Sequence, residues 1–232
     1  MRPYIICHMT TSIDGKVTGT FLRSEECAPA TEEYYRLNRE ISAQGFACGR
    51  VTMEESFTGG WYPDLTEFEN VTITRDDYIA NQNTSRYAVA FDRKGKLGWK
   101  AAEIEDDDPG YGGAHIVEVL CEDAPDADLA YLQSMGVSYI FDGKTEMNLE
   151  TALEKLWNKF NIQCVLLEGG SEINGAFERA GLIDELSLVQ ASVITDADSK
   201  PLFENSTLER FALKEAKILS ENVLWLRYLK KN

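Results

Sequence analysis

At 232 residues, 44% hydrophobic and 27% charged, the chain is long enough to bury a full core without disulfide or metal staples. Its formal charge of −16 argues against nucleic acid or an anionic membrane as a partner, and any anionic ligand must be drawn in by a few well-placed cations. The five cysteines (Cys7, Cys27, Cys48, Cys121, Cys164) are odd in number, scattered and without a C-x-x-C pair, which points to reduced thiols in a cytoplasmic protein. There is no basic-then-apolar leader and no apolar run of membrane-spanning length.

In chain order, Tyr4 to Met9 is an apolar strand that ends in a polar loop, Thr10 to Val17, turned by Gly15. Thr31 to Ala43 repeats Tyr34, Leu37, Asn38 and Ile41 at helical spacing, with Glu32 and Glu33 in its first turn. Phe46 to Gly49 reads as a short buried strand, followed by a turn over Gly49–Thr52 and a helix from Met53 to Phe57. The pattern weakens from Thr58 to Asn83, with a strand at Asn70 to Thr74. Tyr87 to Phe91 is a clearer strand, closed by the cation-rich turn Asp92–Lys96. Beyond the acidic loop Ile104–Gly113 come a strand at Ile116–Cys121, a helix at Asp126–Met135, a strand at Val137–Phe141 and a helix at Asn148–Asn161. Cys164 to Leu167 is an unbroken apolar strand. It leads through Gly169-Gly170 into a helix capped by Ser171, with Ile173, Phe177 and Ala180 on one face and Gly181 at its end. Leu186 to Ile194 is a long strand, and Phe211–Leu219 with Val223–Leu229 forms a closing hairpin.

Strands separated by helices imply parallel βαβ units, and the hairpin implies an antiparallel edge. The sequence therefore predicts one α/β domain over residues 1–232, with a mostly parallel central sheet flanked by helices and a C-terminal antiparallel hairpin. Ligands in such sheets sit beyond the carboxyl ends of the strands. Three strand ends carry ligand-type residues (Thr10–Lys16, Gly49–Thr52 and Glu168–Ser171), and Asp92–Lys96 adds cations. A helix that starts just after Gly169-Gly170 offers free backbone N–H groups and the positive end of its dipole to a phosphate.

Thr11-Ser12-Ile13-Asp14-Gly15-Lys16, Cys48-Gly49-Arg50-Val51-Thr52 and Leu167-Glu168-Gly169-Gly170-Ser171 occur in this order in the reductase domain of riboflavin biosynthesis proteins, which the chain resembles from Tyr4 to its final hairpin. That family has a dihydrofolate-reductase-like fold and reduces the ribose of 5-amino-6-(5-phosphoribosylamino)uracil with NADPH. The resemblance implies a stand-alone, homodimeric, NADPH-dependent reductase acting on a small phosphoribosyl or heterocyclic substrate. It implies that Gly49, Arg50 and Thr52 form the cofactor turn, with Arg50 placed for the 2′-phosphate. Asp92 would lie near the adenosine end, and Gly169, Gly170 and Ser171 against the pyrophosphate across a peptide bond that is often cis. Asp14 and Glu168 match acidic positions on the substrate side and are the catalytic candidates, because hydride transfer to an imine or carbonyl needs a nearby proton donor of raised pKa. Ser12, His8 and Trp61 are substrate-binding candidates.

The chain departs from the family at His8, where a lysine is usual, and at Trp61-Tyr62-Pro63, where Asp-Asp-Pro is usual. Asp14 can also cap its own turn, His8 can be a core histidine, and Trp61 and Tyr62 can be core or cover a flat heterocycle. No metal site is read: Asp106-Asp107-Asp108 lacks the ligand spacing of a calcium loop. The alternatives are an enzyme of the same fold with another substrate, dihydrofolate included, and a nucleotide-binding homologue without catalysis.

Overall fold

A computed structural model describes residues 1–231. Strands and helices alternate as the sequence predicts, giving a mixed α/β chain with nine strands among the described residues, most of them paired in parallel. The chain divides into two compact units: Met1–Pro3 with Ala43–Val165, and Tyr4–Ser42 with the chain from Leu166 onward.

In the first unit, Gly45–Gly49 (β2), Tyr87–Phe91 (β3), His115–Cys121 (β4) and Ser138–Gly143 (β5) form a parallel ladder in that order. Their residues are buried almost throughout, as strands covered on both faces must be. Arg50–Met53 is a single helical turn (α2) that continues as a wider turn over Glu54–Thr58 and stops at left-handed Gly59. Asp126–Met135 (α3) and Leu149–Phe160 (α4) pack on β5. Asn148 caps α4 by accepting from the Thr151 N–H, and left-handed Asn161 ends it. Residues 70–74 form no strand: Val71 and Thr72 face solvent, and the segment has no ladder to join.

In the second unit, Tyr4–Thr11 (β1) pairs in parallel with Glu185–Gln190 (β7). Strand β7 pairs antiparallel with Leu224–Lys230 (β9), and β9 with Phe211–Ile218 (β8), which is the hairpin anticipated. Strand β7 ends sooner than the apolar run suggested, because the chain turns so that the Val193 carbonyl accepts from the Ile13 N–H. Helix α1 spans Ala28–Glu40 and packs on β1 and β7; it begins before Thr31 because Pro29 occupies its first turn, where a missing N–H costs nothing. Phe21, Cys27, Ala30, Leu37, Val189, Ala191 and Val223 form a core beneath it. Cys164–Leu167 (β6) carries the chain from the first unit into the second, and Ser171–Arg179 (α5) follows. All five cysteines are free thiols. Among the described residues, no helix is long and apolar enough to cross a membrane.

Inside α5, Gly175 lies flat against the segment that follows Leu202: a Cβ there would stand 2.1 Å from the Glu204 carbonyl oxygen. Gly→Ala within a helix ordinarily stabilises by about 1 kcal/mol. Gly175→Ala should instead destabilise the protein by about 2 kcal/mol, since the obstruction is backbone. Paired urea melts of the variant and the parent measure the sign.

Candidate active site

In the second unit, β6 delivers Glu168 at its end, 8% exposed. The Asn38 Nδ2, from the last turn of α1, donates to Glu168 Oε1 at 2.6 Å, and Asn38 is itself 2% exposed. The neighbouring Cys7 thiol is pushed up by burial and by the Glu168 charge, so it stays neutral. The Gly169–Gly170 peptide bond is cis, as the resemblance implies. Gly169 has φ +103°, and a Cβ on it would come within 3.1 Å of Met9 Cε, so the turn rests its bare α-carbon on the Met9 thioether.

The cap of α5 is Gly170, not Ser171 as the sequence suggested. The Ser171 hydroxyl donates at 2.5 Å to the Pro201 carbonyl and ties the helix start to the 201–204 segment. The first bond within the helix runs from the Asn174 N–H to the Gly170 carbonyl, so the N–H groups before it are those a helix leaves open at its N-terminus. Asn174 is fully buried. Its Nδ2 donates to the Leu202 carbonyl, while its Oδ1 has no protein partner among the described residues.

Ser12 and Asp14 form a closed turn in the same unit. The Ser12 hydroxyl donates to Asp14 Oδ1 at 2.7 Å and accepts from the Lys16 N–H. That hydroxyl holds the solvent-exposed Asp14 carboxyl below the usual range. Asp14 is therefore ionised at neutral pH and does not meet the raised-pKa condition for a proton donor, whereas Glu168 lies in the kind of buried setting such a donor requires.

His8 is fully buried. His8 Nε2 lies 3.2 Å from the Tyr34 carbonyl, and Nδ1 lies 3.0 Å from the Ser187 hydroxyl and 3.3 Å from the Ser187 carbonyl; the tautomer sets which nitrogen donates. That hydroxyl in turn accepts from Trp225 Nε1 at 2.9 Å, and the Tyr34 ring stacks on the imidazole at 4.4 Å. Every polar atom of the His8 ring is thus engaged by protein, which makes it a strut between β1, α1 and β7.

In the first unit, Gly49 and Arg50 begin the turn that follows β2, with Thr52 in the same helical turn. Arg50 Nη1 donates to Glu54 Oε2 at 2.7 Å, both side chains remaining about one-third exposed (39% and 34%). Asp92 is buried at the end of β3 and closes its own turn, accepting from the N–H groups of Lys94, Lys96 and Leu97. Burial raises its pKa, against the pull of those donors and of the Arg50 charge.

Trp61 packs its carbonyl and ring on Gly98 and lies under Lys100 Nζ at 5.0 Å, with 41% of its surface exposed. The Tyr62 hydroxyl donates to Asp128, which also holds Lys96. Glu118, unremarked in the sequence, is fully buried; its Oε1 accepts from Trp99 Nε1, and burial, then the Asp92 charge, raises its pKa well above normal. Among the described residues no cluster of His, Cys, Asp or Glu could hold a metal ion.

A family model described as the RibD C-terminal domain matches residues 3–224. The chain belongs to the RibD C-terminal domain family. The 2,5-diamino-6-ribosylamino-4(3H)-pyrimidinone 5′-phosphate reductase of Methanothermobacter thermautotrophicus is 25% identical over 233 residues, covering 97% of each chain. The enzyme of the same name from Aquifex aeolicus is 24% identical over 205 residues, covering 86% of this chain and 81% of its own. A pyrimidine reductase-like protein from Corynebacterium diphtheriae has the same fold, with a TM-score of 0.71 at 18% identity over 99% of this chain and 92% of its own. The riboflavin biosynthesis reductase of Saccharomyces cerevisiae follows with a TM-score of 0.65 at 15% identity, over 99% and 90%.

The buried His8 has a consequence for stability. Burial lowers its pKa from 6.5 to about 4, so between those values the unfolded chain binds a proton that the folded one refuses. The stability it contributes is complete above pH 6.5 and is lost as pH falls toward 4. The loss amounts to roughly 3 kcal/mol across that window. His8→Gln should flatten this part of the curve, measured as ΔG of unfolding at pH 7, 6, 5 and 4.5.

Proposed function

We propose that this RibD C-terminal domain protein is a reductase that uses NADPH to reduce the ribose of 2,5-diamino-6-ribosylamino-4(3H)-pyrimidinone 5′-phosphate or of the corresponding aminouracil. The observation that carries the reading is the corner after β6: a buried carboxyl, a cis Gly–Gly turn and an open helix N-terminus on consecutive residues, in a chain matched by its family from residue 3 to 224. The curated relatives named above support the diaminopyrimidinone over the aminouracil that the sequence motifs first suggested.

Each unit, taken by itself, carries residues suited to part of a phosphorylated pyridine dinucleotide. In the second, Gly169 carries no Cβ and leaves the turn open to close approach, and the first N–H groups of α5 suit a pyrophosphate; in the first, Arg50 supplies a guanidinium on the Gly49–Thr52 turn. The reduced nicotinamide supplies the hydride. In this reading Glu168 delivers the proton that the imine nitrogen of the ring-opened ribosylamine gains when its carbon is reduced. Asp14, ionised, accepts from substrate hydroxyl or N–H groups, and Ser12 holds it in place. Trp61, half-exposed beside Lys100, is the candidate to cover a flat heterocycle. Asp92 serves by shaping the turn that presents Lys94 and Lys96. Five free thiols support a reducing cytoplasm as the compartment, and exposed Leu213 and Ile218 on the β8–β9 hairpin support pairing with a second copy through that face.

Turnover is read as the loss of reduced-nicotinamide absorbance with the diaminopyrimidinone, the aminouracil and dihydrofolate in turn. Oxidation with neither ribosylamine overturns the reading. Arg50→Ala should weaken NADPH by about tenfold or more, the worth of a charge-assisted contact, and NADH by less than about twofold. Equal losses for both coenzymes would remove the 2′-phosphate assignment. For the dimer, Ile218→Asp with Leu213→Asp should halve the mass seen by light scattering without changing the far-ultraviolet spectrum.

A further inference from the structure

Helix α1 reaches the corner after β6 with two side chains one turn apart. Tyr34 stacks on His8 and places its carbonyl 3.2 Å from the imidazole Nε2, contacts that set the height and rotation of α1 against β1. One turn on, Asn38 is buried and directs Nδ2 at Glu168 Oε1 at 2.6 Å, closer than an ordinary amide contact. A polar side chain this deep in a helix whose other buried residues are Ala30 and Leu37 costs free energy unless it is hydrogen-bonded. The group it faces is the carboxyl that the reductase reading singles out.

We infer that Asn38 is the positioning residue of Glu168: its amide N–H holds Oε1 as an acceptor, so the exchangeable proton of the carboxyl resides on Oε2. Asn38 touches no reacting atom and acts through Glu168. An amide can play this part where a second carboxyl or an apolar residue cannot. Its N–H groups only donate, so Oε1 is kept free of the proton. They also favour the ionised carboxylate, offsetting burial, which favours the neutral acid. A carboxyl subject to both pulls can take up and give back a proton within one catalytic cycle. The inference rests on the function proposed above, and its test separates the two.

Asn38→Leu keeps the volume and removes the donor; Asn38→Asp keeps the shape and sets a second carboxyl against the first. In both, the pH limb of kcat/KM that is lost in Glu168→Gln should move upward by about one pH unit, further for Asp than for Leu. The kcat should fall about tenfold, with coenzyme affinity, measured by fluorescence quenching, unchanged. In a Glu168→Gln background Asn38→Leu should cost less than about twofold, since the group it positions is already gone. A packing role gives the opposite pattern: an unmoved pH limb and the same loss in both backgrounds, which overturns the inference. If the protein turns over no ribosylamine, the function falls but the pairing is still judged. Carbon-13 NMR titration of Glu168, assigned by its disappearance in Glu168→Gln, should shift upward in Asn38→Leu, and an unmoved midpoint overturns it. Coenzyme binding and far-ultraviolet circular dichroism report whether each variant folds.

Discussion

The second unit is organised around a carboxyl taken out of water. Isolating a charge in a protein interior is costly, and the surroundings must repay that cost or let the group go neutral. Here repayment comes from a helix that is itself held at a set height. The chain of contacts Trp225–Ser187–His8–Tyr34 ties three strands to α1, and one turn further along the same helix an amide meets Glu168. Residues from β1, α1, β7 and β9 thus combine to fix one oxygen of the carboxyl that follows β6. His8 is part of that frame.

The first unit solves a different electrostatic problem. In a chain of net charge −16, the cations near the strand ends are already engaged: Arg50 with Glu54, Lys94 with Asp123, Lys96 with Asp128. Asp92 folds its turn by accepting three backbone N–H groups, and Glu118 lies buried behind the tryptophan that it binds. Raised carboxyl pKa values here follow from burial within a structural cluster; the shift alone does not mark chemistry.

Much of the architecture was legible because periodicity and punctuation agreed. Helix α3 was read to the residue, Asp126–Met135, and the structure bounds it with Pro125 at its N-cap and left-handed Gly136 at its C-cap. Helix α1 was placed late because the apolar repeat, not Pro29, was used to find its start. At 70–74 the alternation of side chains was real but had no partner strand, and pairing cannot be seen from one segment. Motifs disclosed Gly49, Arg50, Glu168 and the Gly–Gly turn because their neighbours in sequence are also their neighbours in space. Asn38 was visible as one position on a helical face, yet its partner lies 130 residues away, and nothing local announces such a bond. Ser171 misled for the complementary reason: a serine before a helix suggests a cap, but a carbonyl from the 201–204 segment claimed its hydroxyl.

On the coenzyme role proposed for Arg50, its pairing with Glu54 would make ligand capture at that corner an exchange of partners. A half-exposed ion pair one helical turn apart is worth only about 0.3–0.5 kcal/mol, so an incoming dianion can displace the carboxylate readily. The displaced carboxylate then remains one turn away and repels what replaced it. In the function proposed above, selectivity for one coenzyme over another would be set by the surplus of one anion over its rival for the same guanidinium, and a change at Glu54 would retune it without touching the arginine.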